Sequence, residues 1–299
     1  MKIAITGITG FVGQNVQGYL KTWHEIMPMS VRYELNQKFQ INANALIHLA
    51  GKAHDLKKVS QANDYFEANF ELTKQLFDTF LESEISDFVY FSSVKSVADK
   101  VHDVLFEDIN PDPKSPYGQS KLQAENYILS KKIPTGKRVF IIRPCMIHGP
   151  GNKGNLNLLY NVVKKRIPYP LAAFENQRSF LGIDNLNFMV KEILENKSVI
   201  SGIYNFADDE VLSTNELINI ISSASNKKNL SIAIPKNIIN GFAKIGDLIS
   251  FPLNSETVHK LTENYKVSNQ KIKLAIGIDK LPNTAQQGLE KTIKSFINK

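Results

Sequence analysis

The chain begins with a short apolar segment that runs directly into a glycine-spaced turn. Residues 1–5 read MKIAI, Gly7, Gly10 and Gly13 follow in TGITGFVG, and a helix-like segment covers 14–21. A strand, a glycine-rich turn and a helix in this order bring backbone N–H groups and the positive helix end to a pyrophosphate. The spacing G-x-x-G-x-x-G is one residue longer at its start than the common dinucleotide fingerprint, but its place after a strand favours a dinucleotide site.

Strand-like and helix-like segments alternate through the first half of the chain. The strand-like segments are 45–50 (ALIHLA), 88–92 (FVYFS) and 138–142 (RVFII), and apolar residues have helical spacing over 64–81 and 115–131. This alternation predicts an α/β fold with a doubly wound parallel sheet of the Rossmann type.

The connection between the first helix and the ALIHLA strand is short. Residues 22–44 leave room for one strand, at 26–32, but not for a full second crossover,. We therefore expect the adenosine side of the dinucleotide site to be trimmed.

The second half of the chain has longer loops and more prolines. Helices are predicted at 157–165, 185–195, 215–224 and 238–251, the last as a core helix or a helix over the substrate, and a strand at 202–206. Ser213 and Glu216 have the spacing of a capping box. These features predict a dinucleotide-binding domain over 1–150 and a smaller α/β substrate-binding domain over 151–299, interleaved with the last strands of the large sheet.

Composition limits the choice of partners. The net charge of +7 over 299 residues suits an anionic ligand, but the basic residues are scattered, and we expect no nucleic-acid partner,. The single cysteine, Cys145, excludes an internal disulfide and follows a strand, which favours a buried thiol,. No segment is apolar and long enough to span a membrane, and no signal peptide precedes the first strand, so we predict a cytoplasmic protein without a membrane partner.

A second motif carries acid–base chemistry. Tyr117 and Lys121 are four residues apart in SPYGQSK and share one helix face,. An ammonium near a phenol stabilises the phenolate and lowers the tyrosine pKa, which gives a proton donor or acceptor for a carbonyl–alcohol couple. Ser92 and Ser93 end the FVYFS strand, at the sheet edge where ligands bind in parallel α/β folds, so a serine hydroxyl there is suited to orient the substrate oxygen.

Together these motifs resemble those of the extended short-chain dehydrogenase/reductases, in the NAD-dependent nucleotide-sugar epimerase/dehydratase group. The resemblance covers nearly the whole chain: TGITGFVG, the strand ending HLAG, ANFELTK, FVYFSSVKS, SPYGQSK, RPCMIHGPG and QRSFLGIDNL. It implies that Tyr117 is the catalytic acid/base, that Lys121 binds the nicotinamide ribose and that Ser93 contacts the substrate oxygen. It also implies a cofactor-binding set: Gly7, Gly10, Phe11, Val12, Gly13, Leu49, Ala50, Gly51, Asn69 and Pro144.

The resemblance implies a nucleotide-diphosphate sugar as substrate. Ser92, Lys153 and Asn155 are candidate sugar-nucleotide contacts, and Arg178 in QRSF is well placed to pair with a diphosphate; a salt link between domains is the alternative role for Arg178. His54 faces the sugar in one interpretation and is a solvated loop histidine in the other. His48, inside a strand, is interpreted as structural.

Two positions depart from the group. Many epimerases have a third Ser or Thr after the serine pair, where this chain has Val94; we therefore favour Ser93 as the catalytic hydroxyl, then Ser92, then Ser96. The dehydratases of the group require an Asp-Glu pair where Val94 and Lys95 stand, so sugar dehydration is disfavoured.

The cofactor is predicted to be NAD or NADP. A basic residue after the second strand favours the 2′-phosphate of NADP and an acidic residue favours NAD. The local sequence MSVRYE contains both Arg32 and Glu34. Arg32 is included in the predicted cofactor site, and the preference stays open.

These observations support three hypotheses. The first is reduction of a 4-keto UDP-linked (N-acetyl)hexose by NAD(P)H in surface-polysaccharide synthesis, the second is UDP-sugar 4-epimerisation with the same residues, and the third is a catalytically silent NAD(P)-binding sensor. The resemblance also implies a homodimer formed through the helices at 64–81 and 115–131.

Overall fold

A computed structural model of the chain describes residues 1–53, 61–152, 155–248 and 254–297. The strands are β1 (Lys2–Thr6), β2 (Glu25–Met29), β3 (Ala45–His48), β4 (Asp87–Phe91), β5 (Val104–Leu105), β6 (Arg138–Pro144), β7 (Met146–His148), β8 (Arg178–Gly182), β9 (Gly202–Phe206), β10 (Val211–Leu212) and β11 (Lys266–Val267). The α-helices are α1 (Phe11–Leu20), α2 (Ala62–Phe66), α3 (Leu72–Glu82), α4 (Pro116–Ser130), α5 (Asn155–Lys164), α6 (Ile183–Glu195), α7 (Thr214–Ala224), α8 (Lys236–Leu248), α9 (Ser255–Thr262), α10 (Gln270–Ile276) and α11 (Ala285–Ile297).

The centre of the fold is a six-stranded sheet in the order β2-β1-β3-β4-β6-β9. Every neighbouring pair in it is parallel. The chain moves from β1 to β2 in one direction and from β3 onward in the other, so the topological switch point lies between β1 and β3. This confirms the predicted doubly wound parallel sheet and places a ligand crevice at the carboxyl ends of these two strands.

Both faces of the large sheet are covered by helices. Ile3 and Ile5 pack with Val16 of α1 and Ile193 of α6 on one face. The intervening Ala4 points to the opposite face, where the aromatic side chains of α3 pack with α4,. A strand buried on both faces explains why β1 and β3 are nearly uninterrupted apolar runs in the sequence.

The outer edge of the sheet beside β1 consists of β2 alone. β2 ends at Met29, three residues before the predicted end, and contains Pro28, a residue that sheets tolerate at edges because it lacks the backbone N–H,. The chain then reaches β3 without adding a strand outside β2. The predicted lack of a second crossover is confirmed.

The second half of the chain builds another core and returns to the large sheet. Side chains of α5, α7, α8 and α11 share an apolar cluster that includes Tyr160, Ile221 and Ile293, and β10-β8-β7 form a small sheet beside it. Strand β9, however, joins the large sheet, as the interleaved organisation requires; the domain boundary at residue 150 stays a prediction. The capping box of Ser213 and Glu216 begins α7 as predicted.

The predicted helix 238–251 starts two residues earlier, at Lys236, and residues 249–253 lie outside the described part of the chain. Across the described residues, no helix is both long and apolar enough to cross a bilayer.

Candidate active site

The glycine-spaced turn is folded as its sequence requires. Gly7 has φ of +67°, and a Cβ on it would lie 2.6 Å from the amide nitrogen of Ala50. A Cβ on Gly13 would lie 2.2 Å from the carbonyl oxygen of Gly7. Only glycine fits either position, because the first needs a left-handed backbone and both are in contact with other backbone atoms.

The start of α1 is open to an anion. Gly10 is the N-cap residue, and it has no side chain to accept a hydrogen bond from the first-turn amides,. Phe11 packs against Gly149, where an added Cβ would lie 3.2 Å from its ring. Uncapped amides, a positive helix end and a side-chain-free turn fit the pyrophosphate of a dinucleotide.

The segment after β3 is held against this turn by buried polar side chains. The amides of Leu49 and Ala50 donate to Thr6 Oγ1 at 3.1 and 3.0 Å. His48 lies 2.8 Å from Thr6 Oγ1 and 2.9 Å from Thr73 Oγ1 through its two ring nitrogens. Burial, with the nearby Lys121 charge, lowers the pKa of His48 to about 3. His48 is therefore a neutral structural residue, as predicted.

Asn69 joins residues 49–53, the predicted cofactor loop after β3, to helix α4, the predicted catalytic helix. Its amide group pairs with the backbone of Lys52, at 2.8 Å from the Lys52 amide and 3.1 Å from its carbonyl, and donates to Ser120 Oγ at 3.0 Å. It lies in a π-helical turn, Glu67–Glu71, between α2 and α3. Such π-helical turns are rare and are frequent at functional sites.

The N-terminus of α4 presents the predicted acid–base residues. Ser115 caps the helix and Pro116 begins it,. Gly118 packs against the turn after β4 so closely that a Cβ on it would lie 2.3 Å from the carbonyl oxygen of Lys95. This contact brings the helix carrying Tyr117 and Lys121 against the turn that follows β4.

Lys121 lies beneath the cofactor loop. Its ammonium donates to the Phe91 carbonyl at 2.8 Å and lies 5.0 Å above the Tyr90 ring. A Cβ on Gly51 would be 3.5 Å from Lys121 Nζ, so the cofactor loop and this ammonium are neighbours. Burial lowers the pKa of Lys121 to about 8, and the negative charge of Glu125 opposes that shift.

Ser93 and Tyr117 are hydrogen-bonded through their side chains. Ser93 is the N-cap of a short 3-10 helix, Val94–Ser96, and its Oγ accepts from the Lys95 amide at 3.2 Å. Burial raises the pKa of Tyr117, whereas the Ser93 hydrogen bond lowers it. The predicted lowering of the Tyr117 pKa is therefore wrong, because desolvation of the phenol outweighs the Ser93 hydrogen bond.

The other two serines of the segment have a different hydrogen-bond partner. The hydroxyls of Ser92 and Ser96 both donate to Glu125, the latter at 2.6 Å. Val94, at the position of the third hydroxyl in many relatives, is buried in the main apolar core. Ser93 is thus the hydroxyl that this segment brings to Tyr117, and substrate binding by Ser92 stays a prediction.

The remaining predicted residues occupy varied positions. Pro144 is buried at the carboxyl end of β6, and Val12 is partly buried in α1. Arg178 begins β8 and forms a parallel β-bridge with Tyr265. Burial lowers the pKa of Arg178, and the nearby Glu263 opposes this shift.

Arg32 is exposed beyond the edge strand. His54 and Lys153 lie outside the described residues, as does the side chain of Asn155, whose backbone begins α5.

Cys145 is buried, and burial raises its thiol pKa, as expected for a structural thiol. The nearby Asp208 raises that pKa further and Arg178 lowers it. Arg178 therefore lies close to the carboxyl end of β6, where a ligand over the sheet is expected.

Sequence reasoning missed two contributors. Tyr65 of α2 packs edge-on to the Tyr117 ring, with 6.1 Å between ring centroids. Glu125 of α4 is fully buried and forms an ion pair with Arg143 of β6. The signal for Glu125 was its position four residues after Lys121, on the helix face that carries both catalytic candidates.

The parallel sheet, the glycine-spaced turn after β1 and the placement of Ser93, Tyr117 and Lys121 at the carboxyl edge are the features of an α/β enzyme that binds a nicotinamide dinucleotide,. A model of the NAD dependent epimerase/dehydratase family matches residues 3–207. The chain belongs to this family, and it is an NAD(P)-dependent enzyme.

Several known proteins are similar over different lengths. UDP-glucose 4-epimerase of Vibrio cholerae is 27% identical over 319 aligned residues, covering 99% of this chain and 95% of the relative. GDP-6-deoxy-D-mannose reductase of Pseudomonas aeruginosa is 31% identical over 168 residues, 51% of this chain and 54% of the relative. The solved structure of RMD from Pseudomonas aeruginosa complexed with NADPH has a TM-score of 0.75 at 22% identity, covering 98% of each chain, a likeness of fold.

Proposed function

We propose that the protein reduces the 4-keto group of a UDP-linked (N-acetyl)hexose with NAD(P)H. The observation that carries the proposal is the convergence of Ser93, Tyr117 and Lys121 beside the glycine turn. A phenol, an ammonium and a hydroxyl at the mouth of a dinucleotide site are suited to move one proton while a hydride moves at carbon.

The proposed chemistry assigns one role to each side chain. The bound nicotinamide supplies the hydride. Tyr117 donates its proton to the oxygen at C4, Ser93 orients that oxygen by a hydrogen bond, and the Lys121 ammonium offsets the charge left on the phenolate. Arg178 pairs with the substrate diphosphate, because a guanidinium fork matches two phosphate oxygens.

Two features favour reduction over epimerisation. Burial raises the pKa of Tyr117, so the phenol carries its proton at neutral pH, which suits a proton donor. The edge strand β2 also leaves the adenosine side short. A short adenosine side favours a cofactor that is released at each turnover, as in a reductase, over one that is kept, as in an epimerase.

A 4-epimerase is the second candidate, and the Vibrio cholerae relative, aligned over 99% of this chain, favours it. The same three residues serve both reactions. In the epimerase the keto sugar turns over in the site and recovers the hydride on its other face.

Cofactor exchange distinguishes the two functions. One sample of the purified protein is denatured and its released nucleotides are quantified. A second, native sample is incubated with a UDP-4-keto-hexose and NADH or NADPH while absorbance of the reduced nicotinamide is followed. The proposal predicts little bound cofactor and one reduced nicotinamide consumed per sugar. Tightly bound NAD, with conversion of UDP-glucose or UDP-N-acetylglucosamine to its C4 epimer and no net consumption, contradicts reduction and supports the epimerase.

A further inference from the structure

We propose that Glu125 is a positioning residue of the active site, whose single buried carboxylate fixes the Ser93 segment against the helix that carries Tyr117 and Lys121. The inference deepens the proposed function, on which it rests. Glu125 is fully buried, and it lies on α4 one turn after Lys121 and two turns after Tyr117.

The carboxylate holds the Ser93 segment at both ends. Ser92 Oγ donates to Glu125 Oε1 from one side of Ser93, and Ser96 Oγ lies 2.6 Å from the same oxygen on the other side. Ser96 Oγ is also 2.8 Å from the Ser93 carbonyl oxygen, so its proton is shared between two acceptors. The backbone of Ser93 is thereby tied to α4 without use of its own hydroxyl, which stays directed to Tyr117.

The second oxygen of the carboxylate is neutralised from the sheet. Arg143 Nη2 donates to Glu125 Oε2 at 2.6 Å, and Nε lies 3.1 Å from both oxygens. The remaining terminal nitrogen, Nη1, donates to the Glu107 carbonyl at 3.3 Å. Arg143 lies near the end of β6. Its guanidinium therefore fixes both residues 92–96 and helix α4 to the sheet through Glu125.

Glu125 also acts on the charge of Lys121. Within the described part of the chain, the titratable groups near Lys121 are Tyr117 and Glu125 from α4, His48 from β3 and Tyr90 from β4. His48 is neutral, so Glu125 is the anion of this set at neutral pH. Its charge opposes the desolvation that lowers the Lys121 pKa.

The same two strands provide a matched control. At the opposite end of β4 and β6, the buried Asp87 forms an ion pair with the partly buried Arg138, with Nε 2.7 Å from Asp87 Oδ1, and a second with the exposed Lys197. Asp87→Asn removes a buried carboxylate from the same sheet, far from the serine segment. It therefore reports what the loss of a buried ion pair does to stability alone.

The experiment compares Glu125→Gln with Asp87→Asn in the full-length protein. For Glu125→Gln we expect kcat to fall about 10- to 100-fold with KM little changed, because misplaced reacting groups cost rate rather than affinity. We also expect the alkaline limb of kcat/KM to move to lower pH, since Lys121 loses its anionic neighbour. Asp87→Asn should lower Tm while leaving kcat and the pH limb unchanged. If Glu125→Gln lowers Tm but leaves kcat and the limb at wild-type values, the positioning role is wrong.

A second variant, Ser96→Ala, tests the same role if Glu125→Gln does not fold. Ser96→Ala removes one hydrogen bond to the carboxylate without exposing a charge. It should lower kcat several-fold and leave the pH limb in place; an unchanged kcat overturns the proposal.

A readout without substrate separates this inference from the proposed function. In Glu125→Gln the free energy of unfolding should begin to rise with pH at a lower pH than in wild type, because Lys121 deprotonates earlier. This shift is expected whether the wild type is a reductase or an epimerase, and even if it turns over no sugar. A coincident pH dependence in the two proteins contradicts the charge coupling of Glu125 to Lys121.

Discussion

Asn69 Nδ2 donates to Ser120 Oγ at 3.0 Å, which joins the π-helical turn before α3 to the catalytic helix α4. The same side chain pairs with both backbone groups of Lys52, in the loop that follows β3. One buried amide thus sets the distance between the cofactor loop and Lys121, which lies one residue after Ser120.

Replacement of Asn69 should weaken cofactor binding. Asn69→Ala leaves the Lys52 backbone groups without their partner, a loss of about 1–3 kcal/mol. We expect the Kd for NAD(P)H to rise at least several-fold in fluorescence titrations. Asn63→Ala, an exposed position on α2 whose side-chain amide donates to Glu67, is the control and should leave the Kd unchanged. Equal Kd values for the two variants would refute the bracing role.

Two glycines of α1 should respond in opposite ways to alanine. A Cβ on Gly13 would lie 2.2 Å from the Gly7 carbonyl oxygen, whereas nothing lies within 4 Å of one on Gly18. Gly13→Ala should abolish cofactor binding and lower Tm. Gly18→Ala should keep cofactor binding and add up to about 1 kcal/mol of helix stability. Thermal unfolding with and without cofactor measures both effects, and cofactor-dependent stabilisation that persists in Gly13→Ala would speak against the phosphate site.

Lys121 gives activity and stability opposite pH dependences. Its pKa is lowered from 10.5 to about 8, so kcat/KM should fall as pH rises through about 8 and the ammonium is lost,. Between that pH and 10.5 the unfolded chain binds more protons than the native protein at this site. The contribution of Lys121 to the free energy of unfolding therefore rises with pH over that window.

Urea unfolding across this pH range measures the second effect. In Lys121→Met the rise attributable to this residue should be missing, whereas Lys38→Met, at an exposed position, should keep it. A wild-type curve parallel to that of Lys121→Met would rule out the lowered pKa.

Arg178 should affect substrate affinity more than turnover. Arg178→Gln removes the guanidinium fork proposed to hold the diphosphate, and we expect KM for the UDP-sugar to rise about tenfold or more with a smaller change in kcat. Arg166→Gln, an exposed arginine after α5, is the control for the loss of a positive charge. If KM is unaffected in Arg178→Gln, this residue has the structural role left open by its sequence context.

The parts of the fold that were predictable are those with local signals. Strand β9 has the bounds predicted from its apolar run, and α7 starts at the capping box of Ser213. The short connection before β3 predicted a single strand there, which is the edge strand β2. The Tyr117–Lys121 spacing placed both side chains on one helix face, as found.

The parts that were not predictable depend on long-range contacts. The π-helical turn around Asn69 has no distinct periodicity in five residues, and the short pairing of β5 with β11 joins segments far apart in the chain. The ion pair of Glu125 with Arg143 needs the packing of α4 on β6 to be known. The direction of the Tyr117 pKa shift likewise depends on burial of the phenol, which residue spacing does not specify.

In the proposed reaction the phenol of Tyr117 transfers the proton during hydride transfer to the sugar. Tyr117→Phe, assayed for single-turnover oxidation of NAD(P)H by a UDP-4-keto-hexose, tests this role, with cofactor affinity measured on the same sample. We expect a rate lower by about 100-fold or more, with the Kd for NAD(P)H within a few-fold of wild type. A wild-type rate in Tyr117→Phe would contradict it.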